Sequence, residues 1–206
     1  KAIKWYCCKL VLSFDSQLKT KKVMKLAKNE GKKFEEDFKK SVPEWCWCNR
    51  YKDGTANFKG DKNENVRFQA HNICDFEVFA KDKLFLLELK SYQGVSIPLS
   101  GIRKNQLEGM IKASRYKNVI PYFLLNFRGV QRVYAIKVQT LYEFIKTTTR
   151  KSIPIKFCID NGIEIPSEQK RTRFKYNLEV LFSEQIEESE VKESKGWKYK
   201  ELKLGV

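Results

Sequence analysis

Apolar residues recur with a helical period near the start of the chain and give way to a polar, glycine-containing stretch further on. Residues 16–42 place leucine, valine and phenylalanine at helical spacing with lysines between them, which predicts one helix, or two helices separated at Gly31. Pro43 predicts the end of this element, because proline lacks the amide hydrogen that a helix interior needs. Residues 49–71 are rich in Gly, Asn, Asp and Lys, which predicts a long exposed loop or ribbon.

The pattern changes to that of β-strands in the centre of the chain. Residues 75–80 and 83–92 are rich in phenylalanine, leucine and valine and flank the dipeptide Lys81-Asp82. Apolar runs of this length on either side of a short polar turn predict a β-hairpin. We therefore expect the two segments to pair as antiparallel strands that turn at this dipeptide.

The following segments complete an α/β pattern. We predict that Ser100 caps a helix with Leu107 and Met110 on its apolar side. Residues 119–127 and 133–138 are apolar enough to be buried strands, and the sequence TLYEFIKTT after them predicts a further helix. Helices and strands that alternate in this order indicate an α/β or α+β fold with one central sheet.

Composition limits the class of protein and of partner. The chain has 206 residues, 42% of them hydrophobic, which suits one domain with a substantial core. Its 41 lysines and arginines exceed 25 aspartates and glutamates, so the formal net charge is +16. Such an excess favours a polyanionic partner, with nucleic acid ahead of an anionic membrane surface. The stretch 183–206 mixes acidic and basic residues and is expected to be a peripheral charged tail.

The cysteines and the single histidine restrict the chemistry further. His71 alone rules out a metal site built from several histidines and an acid–base pair of histidines. No run approaches the roughly 20 apolar residues of a membrane-spanning helix, and the apolar start is a poor signal peptide because Lys9 interrupts it. We expect a cytoplasmic protein, in the host cytoplasm if its gene is viral. The spacing of the cysteines fits neither a zinc site nor a disulfide framework, and we expect all six to be reduced: Cys7, Cys8, Cys46, Cys48, Cys74 and Cys158.

Three charged residues in the predicted hairpin carry candidate chemistry. A turn at Lys81-Asp82 places Asp75 directly opposite Glu88, where two like charges repel unless a cation lies between them. Lys90 lies on the same face of its strand as Glu88. Two carboxylates beside a lysine suit a hard cation such as Mg²⁺, which activates a phosphodiester and a water molecule. Charges that alternate along a strand are also typical of an exposed sheet face, although the apolar run LFLLELK around Glu88 is unlike a solvated edge.

The segment ICDFEVFAKDKLFLLELKSY resembles the core motif of the PD-(D/E)xK nuclease superfamily. Four further segments resemble, in the same order, those of RecU-type Holliday junction resolvases. They are NEGKKFEEDF (29–38), SIPLSGIRKNQLEGM (96–110), RKSIPIKFCIDNGIEI (150–165) and FKYNLEVLF (174–182), which is similar to that family's closing helix.

This resemblance implies an α/β fold with a restriction-endonuclease-like core, in which helices flank a central mixed sheet. It implies a nuclease domain over 1–182, followed by the charged tail 183–206. In the family a long stalk precedes the catalytic aspartate. Here only 49–72 is available for a shortened stalk or a DNA-contacting loop.

The resemblance also implies roles for individual residues. Asp75 and Glu88 correspond to metal ligands and Lys90 to the catalytic lysine. Glu35, on the first helix, corresponds to a residue that completes or supports the metal site, and Gln106 corresponds to a residue that faces it. The implied cofactor is Mg²⁺, with Mn²⁺ as a substitute.

Some positions depart from the family pattern. Glu30 stands where the family usually has a basic residue, and Cys74 precedes Asp75 where a hydroxyl residue is usual. Glu77 is an acid at a position where the family usually has none, and a structural role is favoured for it. The short polar segment 49–72 implies that junction binding is achieved differently here.

The implied activity is the resolution of Holliday (four-way) junctions by metal-dependent phosphodiester hydrolysis, in DNA recombination and repair. A homodimer follows because two strands are cut. The alternatives are a general PD-(D/E)xK nuclease acting on duplex or branched DNA and a non-catalytic nucleic-acid-binding module. The basic residues expected to contact DNA are Lys32, Lys33, Arg50, Lys52, Arg67, Arg103, Lys104, Arg150 and Lys151.

Overall fold

The computed structural model describes residues 30–51, 55–57, 67–69 and 72–183. The strands are β1 (Trp47–Arg50), β2 (Thr55–Asn57), β3 (Arg67–Gln69), β4 (Phe76–Ala80), β5 (Lys83–Tyr92), β6 (Ser96–Pro98), β7 (Val119–Phe127), β8 (Arg132–Lys137), β9 (Ser152–Pro154), β10 (Ile163–Ile165), β11 (Ser167–Lys170) and β12 (Arg173–Tyr176). The helices are α1 (30–41), α2 (Lys104–Ala113), α3 (Val138–Thr147), α4 (Ile155–Asn161) and α5 (179–183). No helix in the described ranges has the length and apolar character needed to cross a membrane.

A six-stranded mixed sheet forms the centre of the molecule, in the order β1-β4-β5-β7-β8-β10. Its first and last pairs are antiparallel, whereas β5 and β7 run parallel. A parallel pair needs a crossover, and here the connection between β5 and β7 includes β6 and α2. The expected restriction-endonuclease-like α/β architecture, with a central mixed sheet flanked by helices, is confirmed.

The two faces of this sheet bury separate cores. On one face, which we call the α1 face, Phe34 and Phe38 from successive turns of α1 pack against Phe85 and Leu87 of β5. On the other face, which we call the α2 face, Met110 of α2 packs among residues of β7 and β8, together with apolar residues of α3 and α4. Side chains alternate along each strand, so neighbouring residues of β5 belong to different cores.

The predicted hairpin has the expected register. Phe76 pairs with Leu87 and Ala80 with Lys83, and the turn is made by Lys81 and Asp82. Lys81 has φ 55°, in the left-handed region that tight hairpin turns require. This register brings the candidate acids towards the same end of the sheet.

Helix α1 includes Gly31 and ends at residue 41, two residues before Pro43. The expected loop or ribbon includes β2 and β3, which pair with each other as an antiparallel ribbon. The predicted helical residues 16–29 and the tail residues 184–206 lie outside the described residues, as do Cys7, Cys8 and His71.

The cap predicted at Ser100 is wrong. Leu99–Gly101 forms a single 3₁₀ turn, in which the amide of Ile102 donates to the carbonyl oxygen of Leu99. Ile102 then adopts an extended conformation, so the turn cannot continue into α2. Helix α2 begins only at Lys104, and its first turn has no side-chain cap.

The expected closing helix over 174–182 is also shorter than its sequence pattern indicates. Residues Arg173–Tyr176 form β12, because they pair with β11 in an antiparallel hairpin. Only residues 179–183 at the end of the described chain are helical. Leu181 and Phe182 from this turn are buried in the core on the α1 face.

Candidate active site

Asp75 lies at the point where β4 leaves the central sheet. Its backbone amide donates to the carbonyl oxygen of Leu87 at 3.0 Å, and its side-chain Oδ2 accepts a hydrogen bond from the amide of Leu89 at 2.8 Å. The carboxylate therefore replaces a backbone acceptor at the end of the β4–β5 ladder. This contact anchors Asp75 against the strand that carries the other two candidate residues.

Glu88 and Lys90 lie two residues apart on β5, on the α2 face of the sheet. The Lys90 Nζ lies 2.6 Å from Glu88 Oε1, a short charge-assisted contact. The Glu88 residue is only 1% exposed, whereas the Lys90 side chain is 20% exposed. The lysine thus covers a buried carboxylate and is itself partly accessible to solvent.

The environment of Glu88 favours its protonated form when no cation is bound. Burial raises the pKa of Glu88 to about 7, and the negative charge of Asp75 adds to this effect. Lys90 and a hydrogen bond from Gln106 act in the opposite direction but do not compensate for burial. A carboxyl group with a pKa near neutrality beside a second acid is typical of functional sites.

Gln106 reaches this site from the first turn of α2. Its residue is 4% exposed, and its hydrogen bond to Glu88 places it beside the buried carboxylate, as the sequence resemblance implies. Two oxygens here, Glu88 Oε2 and Gln106 Oε1, are buried and have no hydrogen-bond partner. Buried oxygen acceptors without donors are costly unless a cation or water satisfies them.

Glu35 has a different partner from the one expected of a metal ligand. Its Oε2 accepts hydrogen bonds from the guanidinium group of Arg50, including one from Nε at 3.1 Å. Arg50 pairs with Phe76, whose side chain belongs to the α1 face. Within the described ranges, no cluster of three or more His, Cys, Asp or Glu residues is arranged to hold a metal ion. The role of Glu35 as a ligand therefore stays a prediction.

Tyr51 and Glu77 also border the site, and only Glu77 was singled out in the sequence analysis. The Tyr51 hydroxyl donates to Glu77 Oε1, and the amide of Tyr51 donates to the carbonyl oxygen of Asp75 at 2.9 Å. Tyr51 thus ties Glu77 and Asp75 to β1. The role of Tyr51 could not be predicted from the sequence, because it depends on the pairing of β1 with β4 and no local pattern predicts that pairing.

Cys74, the neighbour of Asp75, is buried. Burial, supported by the negative charges of Glu77, Glu88 and Asp75, raises the pKa of its thiol to about 12. This environment favours the protonated thiol over the thiolate. Three acidic side chains thus act on the thiol at the end of β4.

Four of the predicted basic residues are exposed beside this site. Arg103 precedes α2 and Lys104 begins it, and this helix carries Gln106. Arg150 and Lys151 precede β9, and the Lys151 carbonyl oxygen accepts a hydrogen bond from the amide of Leu99, which brings the two basic pairs to the same part of the surface.

The other predicted DNA contacts are more scattered. Lys32 and Lys33 are exposed on α1, where Lys33 Nζ lies 2.7 Å from Glu30 Oε1. Arg50 is engaged by Glu35 as described above. Lys52 and the side chain of Arg67 lie outside the described part of the chain.

Comparisons with known proteins agree with this geometry. Residues 52–180, more than half of the chain, match the family model described as RecU, Recombination protein U. The matched range includes the β4–β5 hairpin and α2, and it begins after α1. The chain is also 29% identical over 180 residues to the SPbeta prophage-derived uncharacterized protein YotM of Bacillus subtilis (strain 168), covering 80% of this chain and 90% of the relative. The chain therefore belongs to the RecU family of Holliday junction resolvases.

Proposed function

We propose that this chain is a Mg²⁺-dependent, structure-selective endonuclease that nicks Holliday junctions in recombination and repair. The observation that carries the proposal is the buried Glu88 carboxylate, whose Oε2 has no hydrogen-bond partner and whose pKa burial raises to about 7. With Asp75 beside it and Lys90 in contact, this group is chemically matched to a divalent cation. Membership of the RecU family supports the junction as the substrate.

The residues present fit such a cation. Carboxylate and amide oxygens are the ligands that Mg²⁺ prefers, and Glu88 Oε2 and Gln106 Oε1 are both unsatisfied acceptors. We assign Asp75 and Glu88 as its ligands, with Glu35 as the further ligand that family resemblance implies. Bound Mg²⁺, or Mn²⁺ in its place, would supply Lewis-acid activation of the phosphodiester and of the attacking water.

The chain's own groups would position the substrate around these ligands. The Lys90 ammonium holds Glu88 Oε1 at 2.6 Å and remains partly exposed, so its other hydrogens can reach a phosphate oxygen or the attacking water. Gln106 fixes the position of Glu88 from the α2 side. The exposed pairs Arg103-Lys104 and Arg150-Lys151 would bind the flanking phosphates.

Electrostatic binding of this kind recognises the backbone and shape of DNA more than its sequence. Because each phosphate contact releases counterions, we expect junction affinity to fall steeply as salt concentration rises. A junction offers two strands for symmetric cutting, so we propose that the active species is a two-fold homodimer.

Acid-to-amide substitution within one hairpin tests the proposal. We expect Asp75→Asn to abolish cleavage of a four-way junction in Mg²⁺ while junction binding stays nearly unchanged, because the amide removes a ligand charge without removing a DNA contact. Asp82→Asn, in the exposed turn of the same hairpin, is the matched control and should cleave like the unaltered protein. A linear duplex of the same sequence should be cut much more slowly. Full cleavage by Asp75→Asn would contradict the assigned site, and equal cleavage of the duplex would contradict junction selectivity.

A further inference from the structure

A cavity of about 200 Å³ lies on the α1 face of the sheet, opposite the face that carries Glu88 and Lys90. Its lining comes from the start of α1, the ends of β5 and β7, the β7–β8 turn and the β11–β12 hairpin. The side chains that line it include Gln93, Asn126, Arg128, Gln131, Gln169 and Phe174. Four amides therefore share its polar surface with four charged side chains, and aromatic rings lie beside them.

Two buried polar atoms in and beside this cavity lack hydrogen-bond partners. Asn126 lines the cavity and is only 7% exposed, whereas Gln169 is exposed, accepts a hydrogen bond from the amide of Gln131 and donates one to the carbonyl oxygen of Arg171. The Nε of Arg128 and the hydroxyl of Ser91, which pairs with Asn126 across the sheet, are buried atoms without a hydrogen-bond partner. Buried polar groups are normally satisfied, so this cluster indicates a ligand with its own donors and acceptors.

The charges of the lining argue against a free phosphate as that ligand. Glu30 lies 2.7 Å from Lys33 and 3.8 Å from Arg128, so one acid already serves both cations. Asp37, also in the lining, contacts Arg173 at 3.3 Å and accepts a hydrogen bond from the amide of Phe174. A site with balanced charges, amide groups and aromatic rings suits a neutral, planar ligand with hydrogen-bonding edges.

The cavity is also close to the proposed cleavage site. In the parallel β5–β7 pair, Lys90 lies beside Leu125 and Ser91 beside Asn126. Strand spacing and rise place the Cα atoms of Lys90 and Asn126 about 6 Å apart, with their side chains on opposite faces. A nucleotide near the cleaved phosphodiester is therefore within reach of this end of the sheet.

We propose that this cavity binds a nucleobase, held by the amides of Asn126 and Gln169 beside the ring of Phe174. Asparagine and glutamine side chains match the paired donor and acceptor of a base edge, and aromatic rings stack on its face. The base belongs to the DNA substrate if the proposed nuclease function holds, on which this assignment of its source rests. The cavity would then bias the position of cleavage towards particular sequences.

Cleavage mapping on a mobile four-way junction tests the effect on sequence preference. The unaltered protein should cut preferred positions, and Gln169→Ala should reduce the ratio of preferred to other cuts about tenfold, because one amide–base contact is lost. Asn126→Ser should act in the same direction. Gln139→Ala, an exposed amide on α3 at the other face, should leave the pattern unchanged. Identical cutting patterns in all four proteins would overturn the assignment of the base to the DNA substrate.

A binding experiment separates failure of the cavity from failure of the nuclease. Asp75→Asn protein is mixed with junctions that carry the fluorescent base 2-aminopurine at successive positions, and adenosine is titrated separately against the unaltered protein. We expect fluorescence to rise at one junction position and Gln169→Ala to remove the rise. Binding of adenosine alone, weakened by Gln169→Ala, would identify a free nucleoside as the source of the base. If neither ligand binds in a Gln169-dependent way, the nucleobase proposal is wrong, whatever the cleavage assay shows.

Discussion

The two faces of the central sheet differ most where β5 ends. On the α2 face, Glu88 and Lys90 lie beside Asp75, and one buried carboxylate oxygen has no partner. On the α1 face, one residue away along the same strand, Ser91 adjoins Asn126 and a cavity in which acids and bases are matched. One face thus carries two acids beside one lysine in a buried setting, whereas on the other face the acidic and basic side chains are balanced. Alternation along one strand lets the fold present two kinds of chemistry at one edge.

The largest expected effect comes from removing the charge on the α2 face. Glu88→Gln keeps the shape of the side chain but removes a ligand charge, so we expect cleavage to fall roughly a thousandfold. We expect the variant to remain folded with nearly unchanged free energy of unfolding, because the amide does not place a charge in the buried site. Cleavage rates and thermal unfolding of the same preparation measure both. Loss of folding in step with loss of cleavage would show that Glu88 is mainly structural.

The same carboxyl group should make stability depend on pH in the absence of divalent cations. The pKa of Glu88 is raised from 4.5 to about 7 in the folded protein, so between these values the folded state binds more protons than the unfolded state. Stability contributed by this group is therefore present at low pH and is lost as pH rises from about 4.5 to 7, by on the order of 3 kcal/mol.

Denaturant unfolding at pH 5 and pH 7.5, with a chelator present, measures this difference. Glu88→Gln should remove the contribution, since the amide does not titrate. If unaltered and substituted proteins show the same pH dependence, the raised pKa of Glu88 is not the cause.

A smaller effect, on the free energy of unfolding, is expected at Gly129, where two backbone segments pack closely beside the cavity on the α1 face. A Cβ at Gly129 would lie 2.3 Å from the carbonyl oxygen of Gln93, which lines the cavity. Gly129→Ala should therefore lower the free energy of unfolding by about 2 kcal/mol, because backbone must move to relieve the clash. Gly101→Ala is the control, since a Cβ there meets nothing within 4 Å. Equal melting temperatures for both variants would contradict this packing.

The smallest effect concerns Glu35, whose carboxylate faces Arg50. The pair is partly exposed, so Glu35→Gln should lower the free energy of unfolding by about 1 kcal/mol or less. If Glu35 also supports the metal site, the variant should weaken Mn²⁺ binding, measured by calorimetry, but less than Asp75→Asn does. An affinity loss equal to that of Asp75→Asn would instead make Glu35 a full ligand.

Local patterns predicted the hairpin because its register follows from one short turn. The antiparallel pairing of Phe76 with Leu87 brings Asp75 and Glu88 to one end, as the position of Lys81-Asp82 indicates. The helix cap predicted at Ser100 was wrong because Ile102 adopts an extended conformation after a single turn, which the local sequence pattern does not indicate.

Contacts between parts of the chain that lie far apart in sequence also could not be predicted. Glu35 meets Arg50, and Tyr51 meets Glu77, only because β1 pairs with β4 beneath α1. The cavity on the α1 face combines α1, β5, β7 and the β11–β12 hairpin, which lie far apart in sequence. The candidate carboxylates were thus predictable, whereas the groups that support them were not.

Cleavage of a four-way junction with all four strands mapped, in Mg²⁺ and in EDTA, tests the central claim most directly. Because Asp75, Glu88 and Lys90 are proposed to act through a divalent cation, we expect symmetric nicks in one pair of opposing strands, in Mg²⁺ only. Undiminished cleavage in EDTA, or no cleavage of any junction in Mg²⁺ or Mn²⁺ by folded protein that binds it, would contradict the proposed function.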